Sequence, residues 1–207
     1  MKPLNLDLHL VTDRSLSLGR DLIEIVQAAV QGGVSLVQLR EKTCDTRTFV
    51  ELGKAVAAIL KGTSVPLLIN DRVDVALAVG ADGVHIGQSD MPYADARRLL
   101  GPEAIIGLSV ESDADALAAE TLDVDYLGLS PVFTTPTKTE LTKQLGLEGV
   151  AAIRHISRHR LVAIGGLNSN NIPAVLSAGA DGIAAVSAIC SAPDPMLATQ
   201  QLLQQIK

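Results

Sequence analysis

Eight short apolar runs recur along the chain, separated by longer segments in which apolar residues return every three or four positions. Runs of this length, rich in leucine and β-branched residues, are typical of buried parallel strands, and the longer segments are typical of amphipathic helices. A last helix is predicted over 195–206. The predicted strands are 8–12, 36–40, 66–70, 83–87, 105–109, 126–130, 161–166 and 182–187.

This alternation of strand and helix predicts a protein of the α/β class, a single (β/α)8 TIM barrel. A doubly wound open sheet is the alternative. Such sheets commonly have fewer strands, and no glycine-rich dinucleotide fingerprint follows the first predicted strand. No linker, charge block or low-complexity stretch divides the sequence. We therefore expect one domain over residues 1–207.

The tetrapeptide GADG occurs twice, at 80–83 and 179–182, each time just before a predicted strand. Glycine can end a helix in a left-handed turn, and a small polar residue then leads into the strand. An internal repeat of half the chain and convergent turn chemistry explain the two copies equally well.

Composition narrows the classes of function. Of the 207 residues 47% are hydrophobic and only 2% aromatic, and the formal charge is −6, which argues against general binding to nucleic acids or anionic membranes. No apolar run approaches the roughly 18 residues of a membrane span, and the start lacks the pattern of a signal peptide. Cys44 and Cys190 have neither metal-site nor disulfide spacing. We expect a cytoplasmic protein that acts on small molecules; its oligomeric state is left open, a homo-oligomer included.

Polar residues gather where the strands are predicted to end, and in a barrel this is the end that carries the active site. Where the second strand runs into QLREK, Gln38, Arg40 and Lys42 alternate with Leu39 and Glu41. A period of two directs the first three side chains to one face, which favours a cationic binding surface at the barrel mouth. A solvated loop with salt bridges is the alternative. Further polar residues follow the third to sixth strands: Asn70, Asp71, Asp90, Ser109, Thr135, Thr137 and Lys138.

The loops after the seventh and eighth strands predict a phosphate site. Gly165 and Gly166 let the backbone approach an anion, and Ser187, which follows Val186, can donate a hydrogen bond to it. Barrels frequently bind phosphate with these two loops.

Asp71 and Asp90 follow neighbouring strands, so their carboxylates are expected to lie close together. Mg²⁺ prefers such oxygens and commonly combines one or two carboxylates with substrate phosphates and waters. Arg40, Lys42 and Lys138 around the same opening favour a highly charged anion such as diphosphate, and the long loop that carries Lys138 is a predicted lid. Two anion sites imply two phosphorylated substrates, or one with phosphates at both ends, and displacement of diphosphate.

Six segments together, in their order and spacing, resemble the thiamine phosphate synthase family over almost the whole chain. They are LVTD, GGVSLVQLREK, LINDRVDVALAVGADGVHIGQSDMP, PVFTTPTK, VAIGG and VSAI. The family joins an aminopyrimidine diphosphate to a thiazole phosphate and releases diphosphate. The resemblance therefore implies magnesium as cofactor and these two small molecules as substrates; a carboxylated thiazole phosphate is left open as an alternative to the second.

The resemblance also implies a role for each matching position. Arg40, Lys42, Ser109 and Lys138 are expected to be catalytic, since they contact the pyrimidine diphosphate, whose C–O bond breaks before the thiazole nitrogen attacks. The other expected contacts are Gln38 and Asn70 for the pyrimidine substrate, Asp71 and Asp90 for magnesium, and Thr135, Thr137, Gly166, Val186 and Ser187 for the thiazole phosphate.

Two positions depart from the family pattern. Glu111 stands where relatives often have histidine, and Ser130 stands where glycine is common. The related aminothiazole tautomerases share the barrel, use a histidine near the first position and lack parts of the diphosphate machinery. A tautomerase, and a non-catalytic barrel that binds thiamine precursors, are the alternatives.

Some polar residues are expected to be structural. His9 and His85 lie within predicted strands and are expected to pack in the barrel, while His155 and His159 belong to a basic run predicted to be the solvated end of a helix. Asp74 falls one turn into the third helix, where an acid favours the positive helix start.

Overall fold

The computed structural model describes residues 4–135 and 144–206. Eight parallel strands pair in sequence order and β1 pairs with β8, so the predicted (β/α)8 barrel is confirmed. The strands are β1 (Leu8–Val11), β2 (Leu36–Leu39), β3 (Leu67–Asn70), β4 (Gly83–Ile86), β5 (Ile105–Val110), β6 (Tyr126–Leu129), β7 (Leu161–Ile164) and β8 (Gly182–Ala185). The helices are α1 (Leu22–Gly32), α2 (Thr46–Leu60), α3 (Val73–Val79), α4 (Tyr93–Leu100), α5 (Asp113–Ala119), α6 (Gly146–Ile156), α7 (Ile172–Ser177), α8 (Ser187–Cys190) and α9 (Pro195–Leu203).

The strands match the predicted runs to within two residues at either end. Some residues just beyond the strand bounds still bond to the neighbouring strand: Thr12 donates its N–H to Gln38 and Ser130 donates its N–H to Val110. A 3₁₀ turn (Ser15–Ser17) follows β1. Among the described helices, none is both long and apolar enough to cross a bilayer.

Apolar side chains close the barrel at the end where the strands begin. Leu36, Leu68, Ile105 and Val162 belong to one buried cluster inside the barrel, together with Leu6. The alternate strand residues face outward and form a larger buried cluster with the helices. Because this end is filled, a cavity inside the barrel opens only toward the carboxyl ends of the strands.

The residue before each even-numbered strand is joined to the neighbouring odd-numbered strand by two hydrogen bonds. Asp181 donates its backbone N–H to the carbonyl oxygen of Leu161 at 2.8 Å, and its carboxylate accepts the Leu161 N–H at 2.7 Å. The same two bonds join Asp82 to Leu67, Asp125 to Ile106, and, with a hydroxyl oxygen in place of the carboxylate, Ser35 to Leu8. These four residue pairs, which we call the strand clasps, fix the register where the strands begin.

The two GADG copies have the same local structure. The first glycine of each, Gly80 and Gly179, has a positive φ of 69° or 113°, which few other residues adopt. The aspartate forms a strand clasp. At the last glycine, Gly83 or Gly182, a Cβ atom would overlap a backbone carbonyl of the adjacent chain segment. Turn chemistry and close packing therefore account for both copies.

The basic run after α6 is less solvated than predicted. His155 is exposed, as expected, but the prediction for His159 is wrong. Its side chain is 11% exposed, and its Nε2 lies 3.0 Å from the carbonyl oxygen of Ala119. Glu120 attracts the run toward α5, since it accepts a 2.6 Å hydrogen bond from Ser157.

Candidate active site

A cavity of about 690 Å³ opens where the strands end, within the size range of small-molecule sites. Every predicted site residue that the structure describes lines it: Gln38, Arg40, Lys42, Asn70, Asp71, Asp90, Ser109, Thr135, Gly166, Val186 and Ser187. The predictions for Thr137 and Lys138 lie outside the described residues. Glu111 and Ser130, the two departures, also line the cavity.

The alternation after β2 is confirmed. Gln38, Arg40 and Lys42 line the cavity, whereas Glu41 is directed elsewhere and is buried. The Glu41 carboxylate accepts two hydrogen bonds from Arg14, at 3.2 Å from Nε and 2.9 Å from a terminal nitrogen. Pairing the acid with Arg14 keeps it from neutralising the cations that face the cavity.

Arg40 is held by an acid that sequence reasoning missed. A terminal nitrogen of Arg40 donates to the carboxylate of Asp13 at 2.6 Å, and the same carboxylate accepts the backbone N–H groups of Ser15 and Leu16 at 3.0 and 3.2 Å. Burial raises the pKa of Asp13, but these hydrogen bonds, one from the Ser15 hydroxyl and the charge of Arg40 together hold it below its ordinary value. The available signal was its place directly after the first strand, where the other site acids also stand.

Asp71 lies close enough to Asp90 to affect its ionisation. Asp71 forms an ion pair with Lys42, and Asp90 accepts the backbone N–H of Gly87 at 2.7 Å. Burial raises the pKa of Asp90 and the Asp71 carboxylate adds to the rise, while Gly87 and Lys42 oppose it. Asp71 has a φ of +62°, a strained conformation for a non-glycine residue. Crowded, partly buried carboxylates on a strained backbone are typical of functional sites.

The donor set fits a magnesium ion. Within the described ranges no cluster of three or more histidine, cysteine or acidic side chains could hold a metal, so the carboxylates of Asp71 and Asp90 are left to be completed by other oxygens. Mg²⁺ suits such an incomplete set because it retains waters and takes phosphate oxygens. Beside this pair, the buried Nδ2 of Asn70 has no hydrogen-bond partner among residues 4–135 and 144–206. A bound ligand would satisfy this donor.

The floor of the cavity is polar. Tyr126 is fully buried between two histidines: the His85 ring is stacked on it at 5.5 Å, and the His9 ring meets it edge-on at 5.3 Å. Burial, with smaller effects of His85 and Arg160, lowers the pKa of His9 to about 3, so this ring is neutral at pH 7. Both histidines pack in the barrel as predicted. Their contact with the cavity through the floor was not predicted.

The opposite side of the cavity is built from backbone. Gly165 and Gly166 have φ values of 104° and 65°, and a Cβ atom at Gly166 would lie 2.6 Å from the carbonyl oxygen of Thr134. The loop after β6 therefore packs directly on these glycines. Ser187 begins the short helix α8 and lines the cavity as Gly165 and Gly166 do, so these residues offer backbone and a hydroxyl group to a ligand.

A family model described as thiamine monophosphate synthase matches residues 8–189. The chain belongs to this family. A curated thiamine-phosphate synthase of Albidiferax ferrireducens is 54% identical over 201 residues, which cover 97% of this chain and 92% of the relative. The thiamine-phosphate synthase of Vibrio campbellii is 52% identical over 196 residues, covering 95% and 96%.

One solved structure supports membership of this family, and a second shows only the fold. A thiamine phosphate pyrophosphorylase from Pyrococcus furiosus superposes with a TM-score of 0.88 at 40% identity, covering 97% of this chain and 95% of that one. A 3-hexulose-6-phosphate synthase superposes with a TM-score of 0.69 at 18% identity, which shows a shared barrel fold and nothing more.

Proposed function

We propose that this member of the thiamine-phosphate synthase family is a Mg²⁺-dependent transferase that moves a pyrimidinylmethyl group from diphosphate to the nitrogen of a thiazole phosphate. The product is thiamine phosphate, and diphosphate is the leaving group. The observation that carries the proposal is the division of the cavity into an acidic and cationic side, with Asp71, Asp90, Arg40 and Lys42, and a glycine-lined side at Gly166.

Asp71 and Asp90 would hold the magnesium ion. When bound, the ion supplies positive charge to the oxygens of the leaving diphosphate. Lys42, which pairs with Asp71, and Arg40, which pairs with Asp13, are free to turn their remaining N–H groups to the same anion. The unpartnered Nδ2 of Asn70 adds a neutral donor. Lys138 belongs to the same group of cations in this proposal.

The second phosphate would lie on the glycine side. At Gly165 and Gly166 an anion can approach the backbone, and Ser187 and Thr135 add hydroxyl groups within the same cavity. Val186 and Thr137 complete this pocket in the proposal. Its separation from the acidic side keeps the thiazole phosphate from the repulsion of Asp71 and Asp90 and leaves the ring nitrogen facing the pyrimidine.

The proposed displacement is dissociative. The C–O bond to diphosphate breaks first, its electron pair leaves with the diphosphate, and the aminopyrimidine carries the resulting methylene cation until the thiazole nitrogen bonds to it. The chain's residues stabilise charge and orient the two substrates, which are the effects that matter when no protein nucleophile takes part. A cytoplasmic location, supported by the unpaired Cys44 and Cys190, completes the proposal.

The test is an assay for diphosphate release with both substrates present. Release that requires both substrates and Mg²⁺, and stops in EDTA, supports the proposal. Turnover of a thiazole phosphate without the pyrimidine diphosphate would instead indicate a tautomerase. Binding of both substrates without release would indicate a sensor.

Two matched variants localise the metal in this assay. Asp71→Ala is expected to abolish most release, because it removes one of the two cavity carboxylates. Asp74→Ala, three residues on, removes an exposed carboxylate that pairs with Arg72 outside the cavity, and is expected to retain full activity. Equal activity of the two variants would contradict the assignment of Asp71.

A further inference from the structure

Two glycines make room for polar rings inside the barrel. A Cβ atom at Gly107 in β5 would lie 2.6 Å from Nδ1 of His85 and closer still to the phenol ring of Tyr126. A Cβ atom at Gly128 in β6 would lie 2.8 Å from the His85 ring. Barrel interiors are usually filled by branched apolar residues. Here small residues in two adjacent strands accommodate a tyrosine and a histidine in contact.

These rings form a chain of hydrogen bonds that reaches the cavity. Nδ1 of His85 lies 2.9 Å from the hydroxyl oxygen of Tyr126, and Nε2 of the same ring lies 2.8 Å from Oγ of Ser109. The Gln38 side chain also hydrogen-bonds with the Tyr126 hydroxyl. These hydrogen bonds therefore run from one cavity residue, Gln38, along the floor to another, Ser109.

The chemistry of the groups gives this chain a direction. Burial raises the pKa of Tyr126 far above its ordinary value, so the phenol keeps its proton. If that proton is donated to Nδ1 of His85, a neutral ring carries its own proton on Nε2 and donates it to Ser109. The Ser109 oxygen then accepts a hydrogen bond from His85, and the Ser109 hydroxyl proton remains available to be donated into the cavity. Each donor in such a chain also strengthens the next.

We propose that Tyr126 is a positioning residue that fixes the Nε2–H tautomer of His85 and thereby makes Ser109 a hydrogen-bond donor toward an anionic oxygen of the ligand. The identity of that ligand, the pyrimidine diphosphate, rests on the proposed function. The direction of these hydrogen bonds does not depend on the proposed function. A phenylalanine would fill the same space between the two glycines but would remove the hydroxyl that faces Nδ1 of His85.

The direct test is the tautomer of His85 in the full chain, read from the ¹⁵N NMR signals of labelled histidine. The signal is assigned by its loss in His85→Gln, since the chain has only 4 histidines. In the wild type, Nδ1 is expected to be unprotonated and Nε2 protonated; in Tyr126→Phe this preference is expected to be lost. Protonation of Nδ1 in the wild type, or an unchanged tautomer in Tyr126→Phe, would overturn the proposal.

Tyr93→Phe is the matched control, because Tyr93 is the other of the chain's 2 tyrosines. It lies on α4, where its hydroxyl donates to the carbonyl oxygen of Asp123 at 2.9 Å, and it is not part of the cavity lining. This variant also removes a tyrosine hydroxyl group, but at a site outside the cavity lining. Both the His85 tautomer and the activity are expected to match the wild type.

The kinetic test asks whether Tyr126 acts through Ser109. Tyr126→Phe and Ser109→Ala are each expected to lower kcat/KM by roughly tenfold, the effect of about one hydrogen bond to a charged group. The double variant is expected to be no worse than Ser109→Ala, because the two act in series. Additive losses would contradict the proposal. Absence of diphosphate release by the wild type would refute the proposed function and leave the tautomer result standing.

If Tyr126→Phe fails to fold, the wild-type tautomer alone decides. Circular dichroism and urea unfolding identify that case before any kinetic measurement. A wild-type ring protonated on Nε2 and not on Nδ1 then supports the direction of the chain, and the reverse tautomer overturns it.

Discussion

The two ends of the barrel use the same residue type for opposite purposes. At the end where the strands begin, Asp82, Asp125 and Asp181 each accept a backbone N–H from a neighbouring strand at 2.7–2.8 Å. At the end where the strands finish, Asp71 and Asp90 lie close together in the cavity lining, and burial together with the neighbouring Asp71 carboxylate raises the pKa of Asp90.

The difference lies in whether a second carboxylate stands beside the first. A carboxylate that accepts backbone hydrogen bonds stabilises the fold, because its charge is matched by donors that would otherwise be buried without partners. Asp71 and Asp90 also have partners, Lys42 and the Gly87 N–H, but the two carboxylates repel each other, and this repulsion lowers the stability of the fold. We therefore expect substitutions at the two ends to separate stability from activity, and the predictions below run from the largest effect to the smallest.

The largest effect is expected at the cavity end. Asp90→Asn retains an oxygen for the Gly87 N–H but removes the charge, so diphosphate release is expected to fall by roughly a hundredfold or more. The free energy of unfolding in EDTA is expected to stay equal or rise by up to about 1 kcal/mol, since a repulsion is relieved. Asp95→Asn, on the exposed surface of α4, is the control for both measurements. A clear loss of stability in Asp90→Asn would contradict the proposed difference between the two ends of the barrel.

The opposite result is expected at the clasp end. Asp82→Ala leaves the buried N–H of Leu67 without its carboxylate partner, so urea unfolding is expected to give a loss of about 1–3 kcal/mol. The kcat/KM of the folded variant is expected to equal that of the wild type. Asp82→Asn, whose amide oxygen can still accept, is expected to lose less. A large fall in kcat/KM without a loss of stability would contradict the division of roles.

A third prediction concerns pH and Asp13, which lies at the cavity end but is satisfied like a clasp. Its pKa in the folded protein is below the ordinary value of 3.8, so its contribution to stability is present above that value and is lost as the pH falls through the lower, folded pKa. The difference in unfolding free energy between wild type and Asp13→Asn is therefore expected to be largest near neutral pH and to shrink below pH 3.8. A difference in unfolding free energy that increases as the pH falls would contradict this prediction.

The smallest effect is expected where a carboxylate touches neither end's network. Asp74 pairs with Arg72 at 2.6 Å, but its side chain is 62% exposed. Asp74→Asn is expected to change the free energy of unfolding by less than about 0.5 kcal/mol, and added salt is expected to reduce even that difference. A loss of stability as large as that of Asp82→Ala would show that the exposure of a carboxylate does not determine its contribution to stability.

Local patterns predicted the barrel and most of the site because both depend on short-range signals. Buried strands are recognisable as apolar runs, and polar residues directly after them must lie at one end of a parallel barrel. This places Gln38, Asn70 and Asp90 in the cavity without further information. The same logic would have found Asp13, had the end of the first strand been treated like the others.

Long-range partners could not be predicted in this way. Tyr126 sits in the first position of an apolar strand and gives no local sign that its hydroxyl meets His85, 41 residues earlier in the chain. The basic neighbours of His159 favour exposure to solvent, whereas Ala119 and Glu120, at the end of α5, contact its ring. Such contacts arise from the closure of the barrel, which a one-dimensional pattern does not contain.

The strand clasps divide the barrel into modules. Each clasp joins an odd strand to the even strand that follows it, so β1–β4 and β5–β8 each contain two complete clasps and one GADG turn. A break in the chain between α4 and β5, near Gly101, would sever none of them. The protein is in this sense two half-barrels of equal construction, and new chain ends introduced at that point would leave both the register of every clasped pair and the sequence of each half intact.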